Sequence, residues 1–321
     1  MDLLDSIQSE LQRLEQELII QLKSRVPVAF EIGAHIMNSG GKRIRPQLAI
    51  IAARMGGYTG LDAIKLSGAI ECIHTATLLH DDVVDTADTR RGRPSANTLW
   101  SNEMCVLGGD FILAKAFSAL TSIKNLRILE IVSRATERLS EGELFQMANI
   151  GNLDLTEQDY LQVITDKTAV LMEAACRGGA IIGGLDRNKE EALAQFGFSL
   201  GIAFQMTDDV IDYRSDKETM GKTPCKDIQE GKLTLPLIAA LKTADEPERA
   251  RVVTMIREKQ ISDDNLEWVR DFVERRGGVQ ATLEAGRSYL ELGAGHLKIF
   301  PDSEEKRALM RLAERILHRT Y

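Results

Sequence analysis

Apolar residues recur along this chain at three- and four-residue steps, a spacing that leaves room for little but helix. Leu4, Ile7, Leu11, Leu14, Leu18 and Leu22 form one such stripe, because residues three and four apart share a helical face. The same pattern predicts helices over 46–55, 61–85, 104–121, 124–148, 157–183, 189–213, 235–243, 247–258, 264–275, 279–297 and 302–318. Pro27, Pro46, Pro94, Pro224, Pro236, Pro247 and Pro301 fall at breaks or helix starts, where a missing N–H does no harm. There is no succession of alternating strands and no compositional shift that marks a linker. With 44% apolar residues in a chain of 321, the expectation is an all-α fold, one helical bundle forming a single domain over 1–321.

Charge narrows the function. A net charge of −8 argues against a general nucleic-acid binder, whose footprint is basic. Cys72, Cys105, Cys176 and Cys225 are scattered without a C-x-x-C pair. They therefore read as reduced thiols of a cytoplasmic protein and not as a zinc site or disulfide framework. The acidic, amphipathic start “MDLLDSIQSELQRLEQ” is unlike a signal peptide. No apolar run is expected to approach the roughly 20 residues that span a bilayer, though contact with a membrane surface stays open.

Two segments then demand an explanation. “LHDDVVDT” (79–86) and “MTDDVIDY” (206–213) spell nearly the same carboxylate cluster, each at the end of a long predicted helix. Asp81 with Asp85, and Asp208 with Asp212, fall one turn apart on one face. Like charges at that spacing weaken a helix, and the helix C-terminus already carries partial negative charge. A hard divalent cation resolves the conflict with oxygen ligands. Magnesium in particular takes a carboxylate or two, waters and phosphate oxygens, so two facing clusters would hold several ions on one phosphate-rich ligand.

A single D-D-x-x-D reads more readily as a solvated helix end, and a single basic run as a solvated loop. Their arrangement here says more. “GGKRIRP” (40–46) supplies Lys42, Arg43 and Arg45. “TRRGRPS” (89–95) follows the first cluster with Arg90, Arg91 and Arg93, and “GKTPCKDIQEGKLTLP” (221–236) follows the second with Lys222, Lys226 and Lys232. Acid binds metal and base binds phosphate. His74, two turns before Asp81 on roughly the same face, reads equally as a satisfied core residue or as a ligand. His80, Asp82 and Asp209 either position neighbours or cap the helix.

The set “GGKRIRP”, “HTATLLHDDVVD”, “RRGRPSA”, “GD” (109–110), “KTA” (167–169), “FQMTDDVID” and “GK…EGKLTLP” resembles the trans-prenyltransferases, the head-to-tail polyprenyl diphosphate synthases. It is most similar to their octaprenyl-type long-chain members, in order from about residue 28 to 240. The resemblance implies the isoprenoid-synthase helical fold and a reaction between an allylic diphosphate and isopentenyl diphosphate, with three magnesium ions per active site. Asp81 and Asp85 would hold two ions on the allylic diphosphate and Asp208 a third, with Asp212 supporting. Lys42, Arg45, His74 and Arg91 match the grip on isopentenyl diphosphate. Arg90, Lys167, Lys222 and Lys232 match the allylic diphosphate contacts, and Thr168 and Gln205 the polar groups near the developing cation. The departing diphosphate can accept the proton, so no special base is required.

A chain growing from a diphosphate at Asp81 and Asp85 would run back past Thr77 and Ala76, then Ile73 and Cys72. Ala76 and Thr77 are small, where a Phe or Tyr would close the tunnel early as in farnesyl-type members; small residues also simply permit close helix packing. The expectation is a long product near C40, suited to a quinone side chain, grown from farnesyl or geranylgeranyl diphosphate. Phe111, Phe117 and Phe145 are candidates for the tunnel floor.

Four alternatives compete. A geranylgeranyl-type medium-chain synthase would share every motif. A terpene cyclase has no use for the second diphosphate site that “GGKRIRP”, His74 and Arg91 imply, and a metal-dependent phosphohydrolase built on “HDD” is poorly served by five histidines. A subunit of a heteromeric synthase typically lacks an Asp motif, and both are intact here. The resemblance favours a homodimer, and peripheral membrane contact for product release is left open.

Overall fold

The computed structural model describes residues 7–90, 92–214, 225–258 and 261–317. Helices dominate it. α1 (Gln8–Leu22) buries Leu14, Leu18 and Leu22 of the expected stripe; Leu4 lies outside the described residues. α2 (Pro27–Met37) was not foreseen: its run PVAFEIGAHIM is too uniformly apolar to show a stripe, though Pro27 sits at its first turn. α3 (Ile44–Met55), α4 (Leu61–Val84), α6 (Asn102–Ser122), α7 (Leu126–Ala148) and α10 (Arg187–Arg214) follow the expected segments closely, and a short α5 (Ala96–Leu99) intervenes.

Two departures concern the second basic stretch and the “KTA” segment. The segment 86–96, read as a loop, contains a small antiparallel hairpin of Thr89–Arg90 with Arg93–Pro94, registered Thr89↔Pro94 and Arg90↔Arg93. The helix expected over 157–183 is broken. α8 (Glu157–Ile164), opened by a reciprocal Thr156–Asp159 capping box, passes into a π-turn over Thr165–Ala169 before α9 (Val170–Ile182). Apolar spacing cannot show a one-residue insertion of this kind, and such turns frequently mark functional sites.

The chain divides into two compact units. One comprises 1–136, 171–197 and 297–309, the other 137–170, 198–296 and 310–321. In the first, α4 packs along α6, with Ile70, Ile73, Ala76, Ile112 and Ala116 almost fully buried. Gly109 makes the close approach: a Cβ there would lie 2.3 Å from His80 Nε2, so any side chain at this position would displace the imidazole. In the second, Tyr160, Ala169, Ile202, Met206, Val210 and Tyr213 share a core with Leu237, Val269 and Phe272. There a Cβ on Gly201 would meet Ala169 Cα at 2.6 Å, and this contact brings the π-turn against α10.

α6 overturns one expectation. This 21-residue helix contains an 18-residue window of mean hydropathy 1.4, long and apolar enough, by composition alone, to cross a membrane. Its apolar residues occupy two faces: Cys105, Ile112, Ala116 and Leu120 are buried, while Met104, Val106 and Leu107 are exposed. All four cysteines are free and buried.

Candidate active site

Both aspartate clusters fall where the sequence places them, at the carboxyl ends of α4 and α10. Each divides its acids the same way. In the first, Asp81 and Asp85 are half-buried, while Asp82 is fully buried and takes a 2.6 Å hydrogen bond from Arg90 Nε. In the second, Asp208 and Asp212 are half-buried and Asp209 is buried. Tyr160 Oη donates to Asp209 Oδ2 at 2.5 Å and Gln205 Nε2 donates to Oδ1 at 2.9 Å. Helical phase explains the division, since the second acid lies about 100° round the helix from the first. Asp82 and Asp209 thus brace neighbours from within. Asp82→Asn removes a charge-assisted bond at a buried site and is expected to cost about 1–3 kcal/mol. Thermal melting would show the loss.

His80 has a similar office. Its Nε2 lies 3.2 Å from the Val106 carbonyl and 3.5 Å from Asp110 Oδ1. The “GD” pair thereby acquires a physical reading: Gly109 makes room for the imidazole and Asp110 stands beside it.

The π-turn presents the “KTA” residues. Lys167 Nζ meets Glu143 at 2.6 Å and Gln146 Oε1 at 2.9 Å. Thr168 Oγ1 donates to Gln205 Oε1 at 2.9 Å, so one chain of bonds runs Tyr160–Asp209–Gln205–Thr168. Because Asp209 Oδ1 accepts from the Gln205 amide nitrogen, the amide oxygen is turned toward Thr168. Tyr160 escaped the sequence reading; its place seven residues before Lys167, two turns along a helix, was the available signal.

Asp212 also caps a turn. Its two carboxylate oxygens accept the N–H groups of Lys226 and Asp227 at 3.1 and 3.2 Å, opening the short helix α11 (Lys226–Gln229). Burial raises the Asp212 carboxyl against these two hydrogen bonds. Burial likewise pushes Asp209 up to about 7, with the charges of Asp208 and Asp212 adding to the rise. Asp227 is driven well above the usual carboxylate range by burial and by Asp212. Lys232 is 9% exposed and pairs with Glu230 at 2.7 Å.

In the first unit Lys42 is exposed, just before α3, and Arg45 and His74 are half-buried on α3 and α4. Ile73 and Ala76 are buried; Thr77 is half-buried, its hydroxyl donating to the His74 carbonyl at 2.8 Å. Arg91 and Lys222 lie outside the described residues. Of the floor candidates, Phe111 and Phe117 are half-buried, and Phe145 is 37% exposed on α7.

The donors suit a hard cation shared with a ligand. Among the described residues, no three His, Cys, Asp or Glu side chains converge on one ion position. What is offered is paired carboxylates at two helix ends, with Asp209 and Asp212 of the second held above their ordinary pKa by burial. Magnesium completes such a partial shell with water and phosphate oxygens, so the residues present fit it.

This is the all-α fold of the isoprenoid synthases, as the solved structures it matches attest. A polyprenyl synthase from Caulobacter crescentus CB15, crystallised with calcium and isoprenyl diphosphate, aligns at a TM-score of 0.95 and 35% identity, over 99% of this chain and 97% of that one. A decaprenyl diphosphate synthase from Rhodobacter capsulatus aligns at 0.95 and 38%, over 99% and 98%. The octaprenyl diphosphate synthase of Escherichia coli (strain K12) is 40% identical over 296 residues, 92% of this chain and 91% of the relative. The model of the polyprenyl synthetase family matches residues 26–273, and the chain belongs to that family.

Proposed function

We propose that this chain, acting as one synthase domain, adds isopentenyl diphosphate head-to-tail onto an allylic diphosphate and makes a long all-trans polyprenyl diphosphate. The observation that carries the reading is the repeated division of each aspartate cluster into half-buried outer acids and a buried brace. Asp81 and Asp85 would hold two magnesium ions, and Asp208, supported by Asp212, would hold a third. Magnesium, when bound, neutralises charge on the leaving diphosphate.

The protein's own residues do the rest. Arg90, Lys167, Lys222 and Lys232 bind the allylic diphosphate as its C–O bond breaks and it leaves with the electron pair. Thr168 and Gln205 set oxygens beside the developing allylic cation. Lys42, Arg45, His74 and Arg91 hold isopentenyl diphosphate so that its double bond forms the new C–C bond. A proton then passes to the departed diphosphate. Ile73, Ala76 and Thr77 line the path of the growing chain, and an octaprenyl product for a quinone side chain fits the small size of Ala76 and Thr77 at the entrance. Catalysis occurs in the cytoplasm and in a homodimer; the exposed apolar face of α6 at Met104, Val106 and Leu107 suits a second copy.

The test is incubation with magnesium, labelled isopentenyl diphosphate and farnesyl or geranylgeranyl diphosphate, sizing the dephosphorylated products. A ladder ending near eight isoprene units is expected. Ending at four would keep the enzyme and remove the open tunnel; no incorporation with either primer would remove catalysis and leave a partner subunit.

A further inference from the structure

Of the three cations in “GGKRIRP”, the middle one has been given no task, and its surroundings are the most constrained. Arg43 adopts a left-handed backbone, φ 48°, which costs any residue with a Cβ conformational energy. Such a conformation persists only where the surroundings over-determine it. Here the side chain does so. Arg43 Nη1 lies 2.7 Å from Glu71 Oε1, Nε lies 3.2 Å from Glu15 Oε1, and Nη2 donates to the Met37 carbonyl at 3.1 Å. Glu71 is buried on α4, three residues before His74.

The rest of the loop is fastened to match. The side chain of buried Gln47 donates to the Lys42 carbonyl at 2.7 Å. Arg93, from the hairpin, donates to the Asn38 carbonyl at 3.0 Å. His35 on α2 meets the Pro94 carbonyl at 3.0 Å and stacks edge-on against Trp100. The carbonyls at the end of α2 are thus taken by one arginine from each of the first two basic motifs.

We infer that Arg43 is a positioning residue for isopentenyl diphosphate: by bonding Glu71 and the end of α2 it fixes the spacing of Lys42 and Arg45 against His74. The inference rests on the assignment of those three to that substrate. It makes the two arginines of “KRIR” unequal: Arg45 touches diphosphate, and Arg43 holds the loop that presents it.

The test is calorimetric binding of isopentenyl diphosphate, together with steady-state kinetics, for the unaltered protein and for Arg43→Ala, Arg43→Lys and Glu71→Gln. Displacing a binding group by about 1 Å can cost on the order of 100-fold. Arg43→Ala is therefore expected to weaken isopentenyl diphosphate binding and raise its KM by about 10- to 100-fold, with KM for the allylic primer and kcat little changed. Arg43→Lys should recover part of the loss, since one ammonium can meet Glu71 but cannot also fork to the Met37 carbonyl. Glu71→Gln, which keeps the shape and removes the charge, should raise the same KM by less and covers the case in which Arg43→Ala fails to fold. Unchanged isopentenyl diphosphate affinity in a folded Arg43→Ala or Glu71→Gln protein would overturn the inference, as would equal loss for both substrates. If the unaltered protein binds no isopentenyl diphosphate, the functional reading fails first, and the two failures are told apart.

Discussion

Asp81→Ala and Asp208→Ala are each expected to lower turnover by on the order of 10²–10³ or more, the scale on which preorganised charge acts on a transition state, while the melting temperature hardly moves. The asymmetry follows from where these acids sit. Asp81 is half-buried in the last turn of α4, and Asp208 is half-buried near the end of α10. In both helices the neighbouring buried acid does the bracing: Asp82 on Arg90, and Asp209 on Tyr160 and Gln205. Removing an outer carboxylate also relieves like charge at a helix end that carries partial negative charge already, so the metal-free variants should be no less stable than the parent. Labelled isopentenyl diphosphate incorporation against magnesium concentration, beside a melting curve, checks both halves. Near-normal turnover in either variant would remove that carboxylate from the metal site. A large fall in melting temperature would mean that it acts as a brace like its neighbour.

Much of this was readable from spacing alone. The helical segments, the placing of both clusters at helix ends and the cationic stretches after them all depend on local periodicity and charge. What escaped depends on contacts between distant segments. α2 shows no stripe because nearly all its faces are apolar. The hairpin at 89–94 has strands of two residues, too short to alternate. The π-turn that sets out Lys167 and Thr168 is one extra residue in a widened turn against α10, fixed by the approach of Ala169 to Gly201 and invisible to a count of threes and fours. The choice between positioning and capping for Asp82 and Asp209 needed the partners 8 and 49 residues away. Arg43 could not be told from Arg45 without Glu71 and the end of α2.

Product length is the other place where one side chain should have a large effect. Ala76 is 1% exposed and lies five residues before Asp81 on α4, about 8 Å along the helix axis. In Ala76→Tyr the added ring has two destinations. If the growing chain runs past this position, the ring occupies that space, and elongation stops a few isoprene units from the diphosphate. Melting then changes little and the product ladder shortens sharply. If Ala76 instead serves only to let α4 pack closely, as a small residue at a helix contact can, the ring must be forced into a filled core. Overpacking of that kind costs about 1–3 kcal/mol, so the protein would melt earlier while making products of unchanged length. Sizing the dephosphorylated products and recording the melting curve of the same preparation separates the two, because each outcome moves a different measurement. Shortening is the expected result, with Thr77, one position on, half-buried and its hydroxyl turned back to the His74 carbonyl.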